Sequence, residues 1–379
     1  MADDEAVGTS YRRRLLERAG AGGAVADELL RFGAPLLTRD AAAATDPVRL
    51  PDEAQLSAWI RYGKVAEEAG AFEALASVFP QLRYPVRLGM SGRDGYRAAA
   101  LRGAPPELDP EATGLGVARP DLIRLEIHPT VAGRIPLIVA GDRGDFERLV
   151  RALSARNEPV DLPPSMGACL VRGLNDWDRV RTFRSAWEEA NPDRPWDEGF
   201  QTLVPQKDLY QDRFIILSAG PYSGVEAALA GFPPAEWASL SLAIRREHES
   251  THYLALRATG IVRDSLVDEL TADYVGLVSA FGAYRPDLAL LFLGLESFPS
   301  YREGGRLQNY LGKPPISEGA FEVVKRLVHA AVGNLARFDA AHPPSSRSGP
   351  GLARVALALH AFGLEELATE ELTSLHGER

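Results

Sequence analysis

The chain has 379 residues, of which 45% are hydrophobic and 25% charged, and these proportions are typical of a folded globular protein rather than a disordered one. Its 42 basic and 52 acidic residues give a formal net charge of −10, so the sequence lacks the basic surface expected for binding nucleic acid or an anionic membrane. The single cysteine, Cys169, excludes an internal disulfide, and its apolar neighbours indicate a buried thiol.

The N-terminal sequence predicts a cytoplasmic protein. Residues 1–5 are acidic where a secretory signal would be basic, and no apolar run approaches the length of a membrane span. We therefore expect neither a membrane nor a nucleic-acid partner. The oligomeric state does not follow from the composition.

Three regions are predicted along the chain. Residues 1–105 are rich in Ala, Leu and Arg with helical periodicity, which indicates an N-terminal helical region. The Gly- and Pro-rich segment 103–120 is typical of a linker or a long loop. Residues 106–235 are predicted to form a small α/β region, and residues 236–379 a helical metal-binding region.

The middle region alternates strand-like and helix-like segments. The predicted strands are residues 122–127, 136–140, 166–171 and 213–218, and residues 145–155 form an amphipathic helix. This alternation predicts a small mixed sheet within an α+β fold whose N- and C-terminal parts are largely helical.

Residues 248–252 read His-Glu-Ser-Thr-His, the H-E-x-x-H pattern, in a chain with only seven histidines. The surrounding stretch from Glu236 to Arg257 contains no Pro or Gly and predicts a long helix. Residues four apart share one helix face, so His248 and His252 can bind the same cation while Glu249 reaches toward a metal-bound water as general base. The alternative is an ordinary helix with two solvated or core-facing histidines.

A second helix is predicted over residues 265–276, after a break at residues 258–260. Asp264 or Ser265 is suited to cap its N-terminus, because both side chains accept hydrogen bonds from the first backbone N–H groups. The two helices would then form a hairpin.

The second helix supplies the third ligand that a catalytic zinc normally requires. Glu269 and Asp273 are four residues apart and therefore lie on one face. We predict Glu269 as the ligand and Asp273 as the acceptor from the distal ring nitrogen of His248 or His252, which would fix the ring's tautomer. Asp268 lies about 100° around the helix and is the weaker candidate. The alternative is that these are exposed acids of an amphipathic helix.

This pair of helices resembles the gluzincin zinc metallopeptidases, in which an H-E-x-x-H helix precedes a second helix bearing E-x-x-x-D. The resemblance covers residues 240–280 and is carried by His248, Glu249, His252, Glu269 and Asp273. Sixteen residues separate His252 from Glu269, a couple fewer than in the common peptidase arrangement, which leaves Asp273 as the substitute ligand. Residues 209–218 and 246–248 also resemble a bacterial H-E-x-x-H family of unknown function.

The resemblance implies a zincin-like core in which the small mixed sheet packs on the active-site helix. It also implies that an edge strand at residues 214–218 pairs with extended substrate and that Tyr222 borders the pocket. An ordinary Gly-Pro turn is the alternative for the segment that contains Tyr222.

Hydrolysis of a carbonyl compound also requires a donor that stabilises the oxyanion. The candidates are side chains in the C-terminal half, and no spacing argument selects among them: Tyr301, Arg302, Arg306, Tyr310 and His329.

The predicted function is that of a zinc-dependent, metallopeptidase-like hydrolase that cleaves a peptide or a small-molecule amide, with Glu249 as general base. Two histidines and one carboxylate also suit Fe²⁺, so a non-hydrolytic metalloenzyme that oxidises or tailors a small metabolite or peptide is an alternative. A non-enzymatic binding protein, with a structural metal or none, is a third.

Overall fold

The chain divides into two units. Residues Pro51–Gly220 form the first, here called the sheet unit, and Met1–Leu50 together with Pro221–Arg379 form the second, the helical unit. The computed structural model describes residues 2–32, 50–261, 265–342, 349–369 and 372, and of residues 2–7 only the backbone.

The sheet unit contains a four-stranded mixed sheet. Its strands are β1 (Ile123–His128), β2 (Ile135–Ala140), β3 (Ala168–Asn175) and β4 (Gln211–Ser218). They lie in the order β1-β2-β4-β3, with β2 and β4 parallel and the other two pairs antiparallel. The predicted α+β fold with a small mixed sheet is confirmed.

Strand β4 lies inside the sheet, so the prediction that residues 214–218 form an edge strand is wrong. Ile215 is paired with Leu137 of β2 on one side and with Leu170 of β3 on the other. The physical reason is visible in the sequence, because the continuous apolar run from Phe214 to Leu217 buries both faces of the strand, as a central strand does. The edges of this sheet are β1 and β3.

The described helices, in chain order, are α1 (Ala2–Arg18), α2 (Gly23–Phe32), α3 (Leu56–Ala69), α4 (Ala71–Ala76), α5 (Asp94–Arg102), α6 (Arg143–Ser154), α7 (Trp177–Ala190), α8 (Trp196–Leu203), α9 (Ala227–Ala230), α10 (Pro234–Thr259), α11 (Leu266–Phe281), α12 (Pro286–Leu293), α13 (Glu318–Ala341), α14 (Gly349–Leu359) and α15 (Leu364–Thr369). None of these described helices is both long and apolar enough to cross a bilayer.

Aromatic packing joins α3 and the segment after α4 to the sheet. The Trp59 ring lies 4.8 Å from the Phe214 ring and 5.6 Å from the Phe79 ring, measured between centroids. Residues 51–105 therefore belong with the sheet, and the segment 103–120 lies within this unit. The sheet unit thus includes residues 51–105, because the apolar faces of α3 and α4 are buried against the strands, and it ends at Gly220.

A buried polar cluster lies at one end of this packing. Trp59 Nε1 donates to Asp212 Oδ2 at 2.7 Å, and Tyr62 Oη donates to Asp176 Oδ2 at 2.8 Å. Arg179 forms an ion pair with Asp212. Burial, and next the charge of Asp176, raise the pKa of Asp212 well above its ordinary value.

In the helical unit, α10 and α11 form the predicted hairpin. Helix α10 begins with Pro234 at its first position. It is capped after Thr259 by Gly260, whose left-handed φ of 74° lets its N–H bond to the Leu256 carbonyl. Helix α11 begins after Ser265, whose side chain accepts from the Asp268 N–H at 3.3 Å. The predicted Ser265 cap is thus present, and Asp264 lies outside the described residues.

A glycine permits the close approach of these two helices. A Cβ atom built on Gly276 of α11 would lie 2.8 Å from the Ile244 carbonyl oxygen of α10, closer than real Cβ atoms come. Because the helices run antiparallel from this contact, His248 comes to lie opposite Asp273 and His252 opposite Glu269. The local absence of a side chain therefore sets the distance between the two predicted ligand faces.

Candidate metal centre

Donor atoms of three side chains converge between α10 and α11. His248 Nε2 lies 3.1 Å from His252 Nε2 and 3.5 Å from Glu269 Oε2, and His252 Nε2 lies 3.4 Å from Glu269 Oε1. Ligands at about 2.0–2.1 Å from a tetrahedral zinc ion are about 3.3–3.4 Å apart. The donor types suit a shared divalent ion, and one donor atom from each of the three residues lies within 4.8 Å of the others.

The electrostatics of this donor triangle favour positive charge. Burial lowers the pKa of His252, but the hydrogen bond and charge of Glu269 outweigh it and raise the pKa to about 9. Burial likewise opposes ionisation of Glu269, yet the two histidines hold the pKa of its carboxyl well below the usual value. Glu269 is therefore an ionised carboxylate, only 7% exposed, facing two imidazoles.

Asp273 and Tyr222 hold the other nitrogen of His248. The Nδ1 atom lies 3.0 Å from Asp273 Oδ1 and 2.8 Å from Tyr222 Oη, which itself donates to Asp273 Oδ1 at 2.7 Å. These acceptors assign the proton of His248 to Nδ1, which leaves the Nε2 lone pair directed at the donor triangle. Of the two histidines considered from the sequence, Asp273 is next to His248.

A buried arginine balances this carboxylate. Arg306 Nη2 forms an ion pair with Asp273 Oδ2, and Arg306 Nη1 donates to Tyr222 Oη at 3.1 Å. Burial would raise the pKa of Asp273, but the Arg306 charge and His248 hold it below its ordinary value. Asp273, Tyr222 and Arg306 therefore form a closed hydrogen-bonded ring behind His248.

Tyr222 lies deeper than predicted. It is 3% exposed, and its ring packs edge-on against Phe292 with 4.8 Å between centroids, so it supports His248 from within the core. Helix α10 fixes the turn that carries it, because Ser241 accepts the Tyr222 N–H at 3.0 Å and Arg245 donates to the Pro221 carbonyl at 3.0 Å.

The next residue, Ser223, has a left-handed φ of 53°, a conformation that costs a non-glycine residue free energy and that recurs at functional sites.

Glu249 lies beside the donor triangle. Its Oε1 atom is 4.0 Å from His248 Nε2, and its side chain is 14% exposed, more than those of the neighbouring His248 and Glu269. The carboxylate therefore lies next to the donor atoms and toward solvent, where a general base must meet water.

Tyr310 is the sequence-derived oxyanion candidate whose hydroxyl contacts a predicted ligand. Its Oη donates to Glu269 Oε2 at 2.7 Å. It ends a short 3₁₀ segment, Arg306–Tyr310, so the same turn brings Arg306 to Asp273 and Tyr310 to Glu269. Sequence reasoning named both side chains only as oxyanion candidates and missed their contacts with carboxylates of α11.

Tyr301 and Arg302 brace the loop that carries this 3₁₀ segment. Tyr301 Oη donates to the Gly305 carbonyl at 2.6 Å and accepts from the Gln308 N–H at 3.3 Å. Arg302 donates to the Leu291 carbonyl at 2.5 Å. In the parts of the chain that the structure describes, neither side chain bonds to the three donors.

Two histidines outside the motif have other neighbours. His329 of α13 stacks on Phe298, with ring centroids 4.2 Å apart, and none of its described contacts is with the donor triangle. His360 is buried with its Nε2 atom 3.5 Å from Asp268 Oδ1, and burial lowers the pKa of His360 to about 4. Asp268 therefore faces His360 on the neighbouring side of α11, away from the ligand position of Glu269.

The fold and site define an α+β protein whose helical unit contains a His-His-Glu donor set, with the glutamate of the H-E-x-x-H motif, Glu249, beside it. Residues 14–371 match a family described as a family of unknown function, DUF7005, and the chain belongs to it. Comparison with curated proteins and with solved structures gave no match.

Proposed function

We propose that this protein is a zinc-dependent hydrolase that cleaves an amide or peptide bond. The observation that carries the proposal is the convergence of His248, His252 and Glu269 at the spacing of tetrahedral ligands, with Glu249 beside them. The two-helix pattern that resembles the gluzincin peptidases supports the same chemistry.

The residues divide the reaction between them. Zinc bound at the triangle would lower the pKa of a water molecule toward neutrality and polarise the carbonyl oxygen of the substrate. Glu249 accepts the proton of the attacking water and afterwards delivers it to the leaving nitrogen. Because the departing amine is a poor leaving group without that proton, one carboxylate serves both steps.

The ring of Asp273, Tyr222 and Arg306 has a positioning role. It orients the imidazole of His248 and keeps its Nε2 lone pair available as a ligand. The guanidinium of Arg306 compensates the charge of Asp273, which stays an ionised carboxylate that accepts a hydrogen bond from His248.

The position of Glu249 favours hydrolysis over coordination alone. A structural metal needs no carboxylate beyond its ligands, whereas Glu249 lies 4.0 Å from a donor atom and keeps contact with solvent. Two histidines and a carboxylate also suit ferrous iron, and the metal content of the purified protein separates the two.

The test combines metal analysis with three variants. Protein purified without added metal is expected to contain zinc, and His252→Ala to lose it. Glu249→Gln is expected to retain zinc and lose hydrolysis of an internally quenched peptide library. Glu236→Gln, an exposed acid in the first turn of the same helix, is the matched control and should behave as the wild type. Normal hydrolysis by Glu249→Gln, or iron in place of zinc, would overturn the proposal.

A further inference from the structure

The two oxygens of Glu269 have different surroundings. Oε2 accepts the Tyr310 hydroxyl at 2.7 Å and lies 3.5 Å from His248 Nε2, whereas Oε1 lies 3.4 Å from His252 Nε2. We infer that Tyr310 restrains Glu269 to offer a single oxygen, Oε1, to the metal and so keeps a coordination position open for water and substrate. This inference rests on the proposed function and assigns Tyr310 a positioning role.

The reason lies in how a carboxylate binds a cation. It can use one oxygen or both, and using both occupies the space that a catalytic site must leave to its water. A hydrogen bond from Tyr310 withdraws electron density from Oε2 and fixes the plane of the carboxylate. Each oxygen lies beside one histidine, Oε2 beside His248 and Oε1 beside His252, so the hydrogen bond from Tyr310 is what makes Oε1 the stronger donor.

The loop holds Tyr310 in register with α11. Arg306 and Tyr310 are four residues apart, and so are their partners, Asp273 and Glu269. The 3₁₀ segment therefore contacts two successive turns of one helix face, and each contact fixes a carboxylate that the site uses.

Close backbone packing makes this loop rigid. A Cβ atom on Gly305 would lie 2.6 Å from the Gly294 Cα, so the loop closes on itself immediately before Arg306. Tyr301 adds hydrogen bonds to Gly305 and Gln308 within the same closure. The hydroxyl of Tyr310 is thus delivered to Glu269 by a braced segment.

The experiment uses Co²⁺ as a visible probe of coordination. The wild type is expected to bind one Co²⁺ with the intense absorption of a four-coordinate site. In Tyr310→Phe, Glu269 can use both oxygens, so the bands should weaken and shift, and competition with a chelator should show roughly tenfold weaker Co²⁺ binding. Tyr210→Phe removes a hydroxyl in the sheet unit, where it donates to the Val204 carbonyl at 3.2 Å, and should match the wild type.

Each outcome decides one claim. Identical cobalt spectra and affinities for Tyr310→Phe and wild type would overturn the role of Tyr310 while leaving the metal site intact. Co²⁺ binding by the wild type that is no tighter than binding by His252→Ala would instead overturn the proposed function. X-ray absorption of the zinc-loaded wild type supplies a check that needs no variant, because a second carboxylate oxygen on the zinc would contradict the inference.

Discussion

Replacing Asp273 by Asn should show that this residue contributes separately to the free energy of unfolding of the protein and to its affinity for metal. The substitution keeps the shape of the side chain but leaves Arg306, which is 7% exposed, as a buried charge without its carboxylate. Breaking a buried pair on one side costs about 3–5 kcal/mol. Since domains are stable by only about 5–15 kcal/mol, the loss would be a large fraction of the total.

The assay is urea denaturation of metal-free protein followed by circular dichroism. Chelator is present throughout, because bound metal would add its own stabilisation. The double variant Asp273→Asn/Arg306→Met removes both charges and should recover most of the lost free energy. Its zinc affinity should nevertheless stay roughly 10- to 100-fold below the wild type, because in both variants the charged acceptor of His248 is replaced by a neutral amide.

A double-mutant cycle tests whether Asp273 and Arg306 are coupled. It compares the wild type, Asp273→Asn, Arg306→Met and the double variant. Contacting charged residues are expected to show an interaction free energy well above the roughly 0.3–0.5 kcal/mol seen for independent sites. Additive losses, with the double variant less stable than either single one, would refute the view that the ion pair is the main role of Arg306. Wild-type zinc affinity in Asp273→Asn would refute the view that the charge of Asp273 strengthens His248 as a ligand.

Three further predictions follow from single contacts. Gly276→Ala should destabilise the protein by about 1–3 kcal/mol and weaken zinc binding, because the added Cβ meets the Ile244 carbonyl. Gly333→Ala is the control in the same urea titration. Its Cβ has room in α13, so the variant should be as stable as the wild type or more stable. Zinc at a hundred times its dissociation constant should stabilise the wild type by about 2.7 kcal/mol in thermal unfolding and leave His252→Ala unchanged. The free energy of unfolding should fall less with rising pH in Asp212→Asn than in the wild type. The raised pKa of the Asp212 carboxyl contributes stability that is complete below the pKa of this group in the unfolded chain and is lost as pH rises through its pKa in the folded protein.

The features of this protein that follow from local spacing could be predicted from the sequence. The long helix around His248, the cap at Ser265 and the shared face of Glu269 and Asp273 depend on residues a few positions apart. Their periodicity and hydrogen bonding are the same in any chain that forms a helix. The pairing of the two helices could also be predicted, because a short connection makes consecutive helices neighbours.

The features that depend on distant pairing could not be predicted in the same way. The position of β4 between β2 and β3 depends on contacts with residues 36 to 49 positions away in β3 and 78 positions away in β2. The run from Phe214 to Leu217 did carry a signal, since continuous apolar residues indicate a strand buried on both faces. The sequence carried no such signal for Arg306 and Tyr310, because their partners on α11 are distant along the chain and follow no local spacing rule.

The concentration of buried charge in the helical unit is itself an argument for function. Glu269, Asp273 and Arg306 are each less than 9% exposed, and apolar residues of similar size would be as stable or more stable there. The two carboxylates and the guanidinium leave one net negative charge, so a divalent cation would leave one net positive charge and the Glu249 carboxylate would balance it. Because Glu249 is the most exposed of the four, Glu249→Gln should weaken metal binding far less than loss of Glu269, and a chelator titration of these two variants measures the difference.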